Sequence, residues 1–426
     1  MREALKYHIA LMLISPVFGL IYTLKASNPQ YKKWMLVLFI TLFGSTIQFS
    51  PGSDATVHQE HVYRHYYNLS LTNFLEELED ILLLQPQQNT NDDVYIHILS
   101  FFCGSVLGVP GLFFVIVSFV YGYFYASGLL KVLKYVNLKD AKWLLWAFVI
   151  FFIFYKTIDN INTVRTWTGL WVLFNGVFGY FDTSKRKYLL LIAFTPLIHI
   201  GYTAMALPAL VVCIFKLRPV VYAAIFTISF FAQLAPTIAI EQLSATQVGA
   251  SKVDAYYIDP ESGINRLDAK SSGNWYARYG KQMTVIWGTS LLAATLLISG
   301  AYFTWMTRLE QALLSVGILT VSLANFNYFF YALYNRSYAV AALFVIASVI
   351  LLLARKRQIF QSWFRRSFFN IGLISTLAVY IATFVYILSN MLQFVSAFML
   401  GLPFITWFVG DINLSLREFI GDLIGI

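Results

Sequence analysis

Two arginines and one histidine sit where an apolar chain has reason to exclude them. Arg165 opens an apolar stretch soon after Asp159, His199 lies in a long apolar run broken by Pro196 and Pro208, and Arg336 follows a Tyr- and Asn-rich segment from Asn325 to Asn335. Charge in or near hydrocarbon is costly, so such residues are functional candidates by default. A guanidinium is always charged and presents a planar fork of donors, which suits a lipid-linked phosphate or diphosphate. A neutral imidazole beside it can take a proton from a sugar hydroxyl. A plainer reading competes: the arginines snorkel as interface anchors and the histidine is a hydrogen-bonded core residue.

A second group is Asp54, His58, His61 and His65, spaced 4, 3 and 4 apart, which share one face if the segment is helical. A divalent metal site is conceivable with such ligands. Tyr63, Tyr66 and Tyr67 share the segment, so an interfacial or sugar-contacting helix accounts for it as well, and no metal is expected. Glu76, Glu77, Glu79 and Asp80 read as a solvated helix face.

The elements that must position these residues are membrane helices. Of the 426 residues, 58% are hydrophobic and only 12% charged, against about 25% charged in an average soluble domain. Apolar stretches near the length needed to cross a bilayer recur from Leu5 to Trp407. A soluble globular protein is excluded. The net charge of +9 comes from bases gathered in short loops, at Lys25 to Lys33, Lys131 to Lys142, Lys185 to Lys187 and Arg355 to Arg366. Such loops orient a chain by the positive-inside rule and leave no basic face for nucleic acid. Cys103 and Cys213 lie in apolar stretches without metal-ligand spacing and read as packing residues. The apolar run from Leu5 to Leu24, preceded by Arg2, reads as an uncleaved first span rather than a signal peptide.

Anchoring every basic loop on the cytoplasmic side gives an all-α, polytopic path of about 12 membrane segments in a single transmembrane domain, 1–426. Span one covers Leu5 to Leu24 and span two Trp34 to Phe49, with the N-terminus outside. Residues 50–93 form an acidic outer loop with interfacial helices, and 241–281 a second outer loop. Parity requires Val94 to Leu107 to be a short helix that enters without crossing. It also requires Tyr188 to Phe215 to be a hairpin turning near Gly201. Met391 to Val409 is either a last span or re-entrant, and the tail from Asp411 is amphipathic. This path brings Arg165, His199 and Arg336 toward the outer side. Phosphate-loop, dinucleotide, zinc-protease and serine-hydrolase patterns are absent in suitable context, which gives nucleotide-driven transport and familiar hydrolysis no support.

The order of features resembles the EpsG family, relatives of the Wzy-type polymerases of bacterial surface polysaccharides (O-antigen or capsule). The resemblance rests on Gly52-Ser53-Asp54 followed by Tyr63 and Tyr67, on Asp93-Val94-Tyr95-Ile96-His97-Ile98-Leu99, and on Arg165 with His199 in Ile198-His199-Ile200-Gly201-Tyr202. It ends with Asn335-Arg336-Ser337-Tyr338. Gln48 and Thr166 depart from it, standing where the family often has Arg and Gln. The resemblance implies a glycosyltransferase-C-like membrane enzyme, without metal or other cofactor, in the bacterial cytoplasmic membrane. It would join undecaprenyl-diphosphate-linked repeat units at the outer face, among membrane lipids and beside a chain-length regulator and a flippase. It implies that Arg165 and Arg336 hold the donor diphosphate, that His199 orients or deprotonates the acceptor hydroxyl, and that Asp54, Tyr63, Tyr67 and Tyr338 face sugar. The competing expectations are a flippase of lipid-linked oligosaccharide, an O-acyltransferase acting on the same glycan, and a scaffold in an export complex.

Overall fold

The structure is a computed structural model that describes residues 2–47, 53–85, 91–231, 274–355, 363–407 and 414–425, apart from positions 138, 140, 216 and 281. Most of the second outer loop and Gln48 lie outside the described residues. The chain is helical. Its first half contains α1 (Arg2–Ile14), α2 (Pro16–Leu24), α3 (Pro29–Thr46), α4 (Asp54–Arg64), α5 (Leu71–Leu82), α6 (Val94–Phe101), α7 (Phe113–Leu133), α8 (Trp143–Phe154) and α9 (Thr166–Thr183). There follow α10 (Lys187–Ile198), α11 (Tyr202–Met205), α12 (Leu207–Ile214) and α13 (Pro219–Ser229). The remaining described helices are α14 (Trp275–Gly280), α15 (Met283–Ile298), α16 (Ala301–Thr304), α17 (Arg308–Phe326), α18 (Tyr331–Ala354), α19 (Trp363–Phe394) and α20 (Leu416–Ile424). Four helices among the described residues are long and apolar enough to cross a membrane: α7 with its leading turn, α17, α18 and α19.

Helices that are apolar all round cannot sort themselves by a polar face, so close packing of small residues sets their contacts. Gly44 of α3 lies against Ser118 of α7, Gly317 of α17 against Val345 of α18, and Gly288 of α15 against the Tyr380 ring of α19. At the last crossing the buried hydroxyls also pair, Thr289 with Tyr380 at 3.0 Å. Helix α18 forms the centre of the bundle, buried from Ser337 to Leu352.

The basic loops meet at one end of the bundle. Lys131 faces the Tyr188 ring, Lys134 pairs with Asp182 at 2.7 Å, Arg308 lies over Phe181, and Arg355 pairs with Glu310 at 2.6 Å. Helix α9 runs 18 residues from that end to Arg165, and α18 an equal number of residues from Ala354 back to Arg336. At 1.5 Å per residue both arginines stand about 27 Å from the basic end.

The N-terminal segment differs from the single span expected of Leu5 to Leu24. His8 packs edge-on against Tyr22 at 4.2 Å and bonds Tyr31, and Gly19 lies against the Met12 backbone. Helices α1 and α2 are therefore an antiparallel hairpin turning at Ser15-Pro16, and the first turns of α1 lie beside the loop that precedes α3. Composition is the same for a span and for a hairpin, but Pro16 cannot continue the first helix and starts the second. A cysteine pair at His8 and Tyr22 is expected to join through a short thiol-to-thiol reagent. On one straight helix these positions stand about 21 Å apart and no such product forms.

A second short element meets that hairpin tip. Ala397 donates to the Leu414 carbonyl at 2.9 Å, Leu416 to Val395 at 2.7 Å, and Ser396 bridges Ser415. Ala397 and Leu414 are side by side, so the chain returns to the level at which it left α19, as a re-entrant segment does and a last span does not. Leu402 N–H donates to Ile14 at 2.6 Å and Ser15 bonds the Leu400 carbonyl, so loop and hairpin touch tip to tip. The expected hairpin at Gly201 is also present: α10 leaves the basic end, and Val212, Cys213 and Phe215 return to it beside Phe181 and Arg308.

Candidate functional site

The backbone is unwound between α8 and α9, where unpaired carbonyls cannot be left in an apolar interior. Side chains satisfy them: Tyr125 donates to Ile153 at 2.7 Å, Tyr121 to Thr157 at 2.8 Å, and the Trp171 indole to Lys156 at 3.1 Å. The segment continues through a short 3-10 turn, Ile158–Thr163, and ends at Val164 with φ +52°. A β-branched residue in the left-handed region is strained, and such strain gathers at functional sites. The next residue is Arg165.

His199 is placed by a different break. Pro196 interrupts α10, His199 is extended at its C-terminus, and the following turn carries Tyr202 onto Gly169 of α9, where a side chain would collide with the ring. Tyr202 then donates to the Thr166 carbonyl at 2.7 Å, fixing the hairpin tip to the first turn of α9. Arg336 arrives on the second turn of α18.

These three residues converge on a fourth, Asp93. Its carboxylate takes a hydrogen bond from Arg165 Nη1, lies 3.0 Å from His199 Nδ1, and accepts the Ile200 N–H at 2.6 Å. On the other side of the imidazole, Arg336 Nη1 lies 3.0 Å from Nε2. A carboxylate only accepts and a guanidinium only donates, so Nδ1 carries the proton and Nε2 presents its lone pair to Arg336. His199 is thus a neutral imidazole in one tautomer, 4% exposed. Burial pushes the Asp93 carboxyl up, but the hydrogen bond from His199, the charge of Arg165 and the Ile200 N–H outweigh it and hold Asp93 below the usual carboxylate range. Two guanidiniums flank the buried His199–Asp93 pair, and Arg165, its side chain 21% exposed, reaches the surface.

No family model, curated protein or solved structure matches the chain.

The three sequence-predicted residues are brought together, and the residue that joins them is one that sequence reasoning passed over. Asp93 stands before an apolar helix, where an acid ordinarily caps the first turn. Here its side chain makes no cap. The residues on either side of it are tied to the outer segment: Asn91 donates to Tyr66 Oη at 2.9 Å, Tyr66 Oη lies 2.7 Å from His97 Nδ1, and His97 Nε2 donates to the Phe74 carbonyl at 3.1 Å. Asp54, Tyr63 and Tyr67 are exposed on α4 and the turn after it, outside this cluster. Tyr338 is buried, donating to Asn325 at 2.7 Å and accepting from Ser290 at 3.3 Å, so its hydroxyl is engaged within the bundle.

The histidine face of α4 is divided. His65 pairs with Glu77 at 3.0 Å, which corrects the expectation of a solvated acidic face for Glu77, buried between α4 and α6, while Glu76 and Glu79 are exposed. His61 stacks on His65, and among the described residues no group of His, Cys, Asp and Glu could hold a metal ion. His58 lies within the electrostatic reach of the site. Burial, then the positive charge of Arg165 and of His61, holds it at about 3 against the opposing pull of Asp93 and Asp92. It stays neutral at every pH near neutrality. Because the unfolded chain protonates near 6.5, folding stability is expected to fall as pH drops from about 6.5 toward 3. In His58→Gln that acid-side loss shrinks, measured as the denaturation midpoint in detergent across this range.

Proposed function

We propose that the chain is a membrane glycosyltransferase, a polymerase that joins undecaprenyl-diphosphate-linked repeat units at the outer face of the bacterial cytoplasmic membrane. The observation that carries this reading is the buried Asp93–His199–Arg336 chain with Arg165 at its edge: an oriented base between two guanidiniums. The basic loops, read by the positive-inside rule, put the opposite end, where the site lies, at the outer leaflet. The resemblance adds the glycosyltransferase-C-like architecture of about twelve segments.

In this reading the acceptor hydroxyl of a fresh repeat unit attacks the anomeric carbon of the growing glycan. The new carbon–oxygen bond forms as the bond to the donor phosphate breaks, and the electron pair leaves with the carrier diphosphate. The hydroxyl proton passes to His199 Nε2, and the resulting imidazolium is stabilised by Asp93. Arg165 and Arg336 hold the diphosphate and take up its growing charge, an electrostatic role for preorganised donors. A diphosphate lipid suits the site because two guanidiniums stand at one level beside the base.

Purified protein in vesicles, supplied with a lipid-linked repeat unit, tests the reading. A ladder of glycan lengths on a gel supports it. One unchanged band that has crossed the vesicle wall identifies a flippase instead.

A further inference from the structure

The imidazole lone pair that should receive the acceptor proton is already occupied. Arg336 Nη1 points at His199 Nε2 from 3.0 Å, while Asp93 fixes the proton on Nδ1. An imidazole capped in this way cannot take a second hydrogen, and a guanidinium surrenders a neutral acceptor readily when offered an anion, because a guanidinium–phosphate contact pairs opposite charges and is often bidentate, whereas the ring nitrogen offers one neutral lone pair. From this we infer that Asp93 is a positioning residue and Arg336 a cap. The base is closed until a diphosphate claims Arg336, so the donor must bind before the acceptor can be activated. The inference rests on the proposed transfer reaction, and it supplies the order of that reaction.

The arrangement has a clear use. A water or hydroxyl that wanders into the site without a donor meets no free base. When the diphosphate draws Arg336 away, Nε2 opens beside the bond that is to be made, and the same movement places the guanidinium on the leaving group. Asp93 is required throughout because without its carboxylate the imidazole can turn its proton to Nε2. An amide at position 93 offers an N–H to Nδ1, and that tautomer sets Nε2–H against the Arg336 N–H, donor against donor.

The test uses full-length protein labelled with nitrogen-15 histidine, the His199 signals assigned by their loss in His199→Gln. Methylenediphosphonate, a diphosphate that cannot transfer a sugar, is the probe. In the wild type the Nε2 signal of an accepting nitrogen is expected to move when the probe is added, to the position it already holds in Arg336→Met, where the probe moves it no further. In Asp93→Asn the proton is no longer fixed on Nδ1, and the Nδ1 and Nε2 signals of the unliganded protein are expected to move toward each other as the two tautomers mix. A wild-type Nε2 signal identical to that of Arg336→Met overturns the cap, as does a signal the probe leaves in place, whether or not calorimetry detects binding. Kinetics give a second readout: Asp93→Asn is expected to lower kcat about 100-fold or more with no rise in the KM for donor, since Arg165 loses a competing carboxylate. A raised KM at unchanged kcat contradicts the positioning role. These results separate the two readings, because the spectra need no sugar: a ladder without the shift sinks the cap alone, and the shift without a ladder sinks the polymerase alone.

Discussion

Alanine at His199, Arg165 or Arg336, in protein present at the wild-type level, is expected to remove the glycan ladder of the proposed polymerase. Loss of the base is expected to cost about 10²- to 10⁴-fold in rate, and loss of one leaving-group donor about 10²- to 10³-fold. The double change of His199 and Arg336 falls little below the single changes, since the residues act as one unit. Arg165→Lys recovers part of the rate, because the charge remains while the planar fork does not. Retention of a full ladder by all three variants removes the site from the chemistry and leaves the snorkelling reading of the arginines.

The largest effect on stability is expected at the basic end. Glu310 is 3% exposed, caps the first turn of α17 through Thr307, and meets Arg355 at 2.6 Å. Arg355 also donates to the Trp305 carbonyl at 2.6 Å. Taking away the cation alone strands a buried carboxylate, so Arg355→Met is expected to lose about 3–5 kcal/mol. Glu310→Gln keeps an acceptor for the capping box and removes the charge that needed a partner, so its loss is near 1 kcal/mol. Unfolding in detergent, followed by helical circular dichroism, measures both. Equal losses in the two variants would mean that the pair acts through packing rather than through charge.

Arg165, His199 and Arg336 could be read from the chain because charge amid apolar residues is conspicuous, and because the basic loops fix which end of each helix they occupy. Asp93 could not be singled out in the same way. An acid before a helix is commonplace, and only its burial and its failure to cap α6 set it apart. Glu77 was hidden by its acidic neighbours, from which only its contact with His65 distinguishes it. The hairpin of α1 and α2 was hidden for another reason: a run of about 20 apolar residues has the composition of a span whether or not it folds back. The sole local sign was Pro16, and the pairing of His8 with Tyr22 is a tertiary fact. The same holds for the loop between Ser396 and Ser415, where crossing and return differ only in which residues its ends meet. Conversely, the hairpin at Gly201 was legible because the basic loops on either side leave no other parity.

The most direct test of the central account is the stoichiometry of carrier release. Vesicles holding the wild-type protein and lipid-linked repeat units are expected to set free one undecaprenyl diphosphate for every glycosidic bond in the ladder, and His199→Ala to set free none. Bonds formed without release of the diphosphate, or release at the wild-type rate by His199→Ala, would contradict the assignment of Arg165, Arg336 and His199 to a diphosphate-leaving transfer.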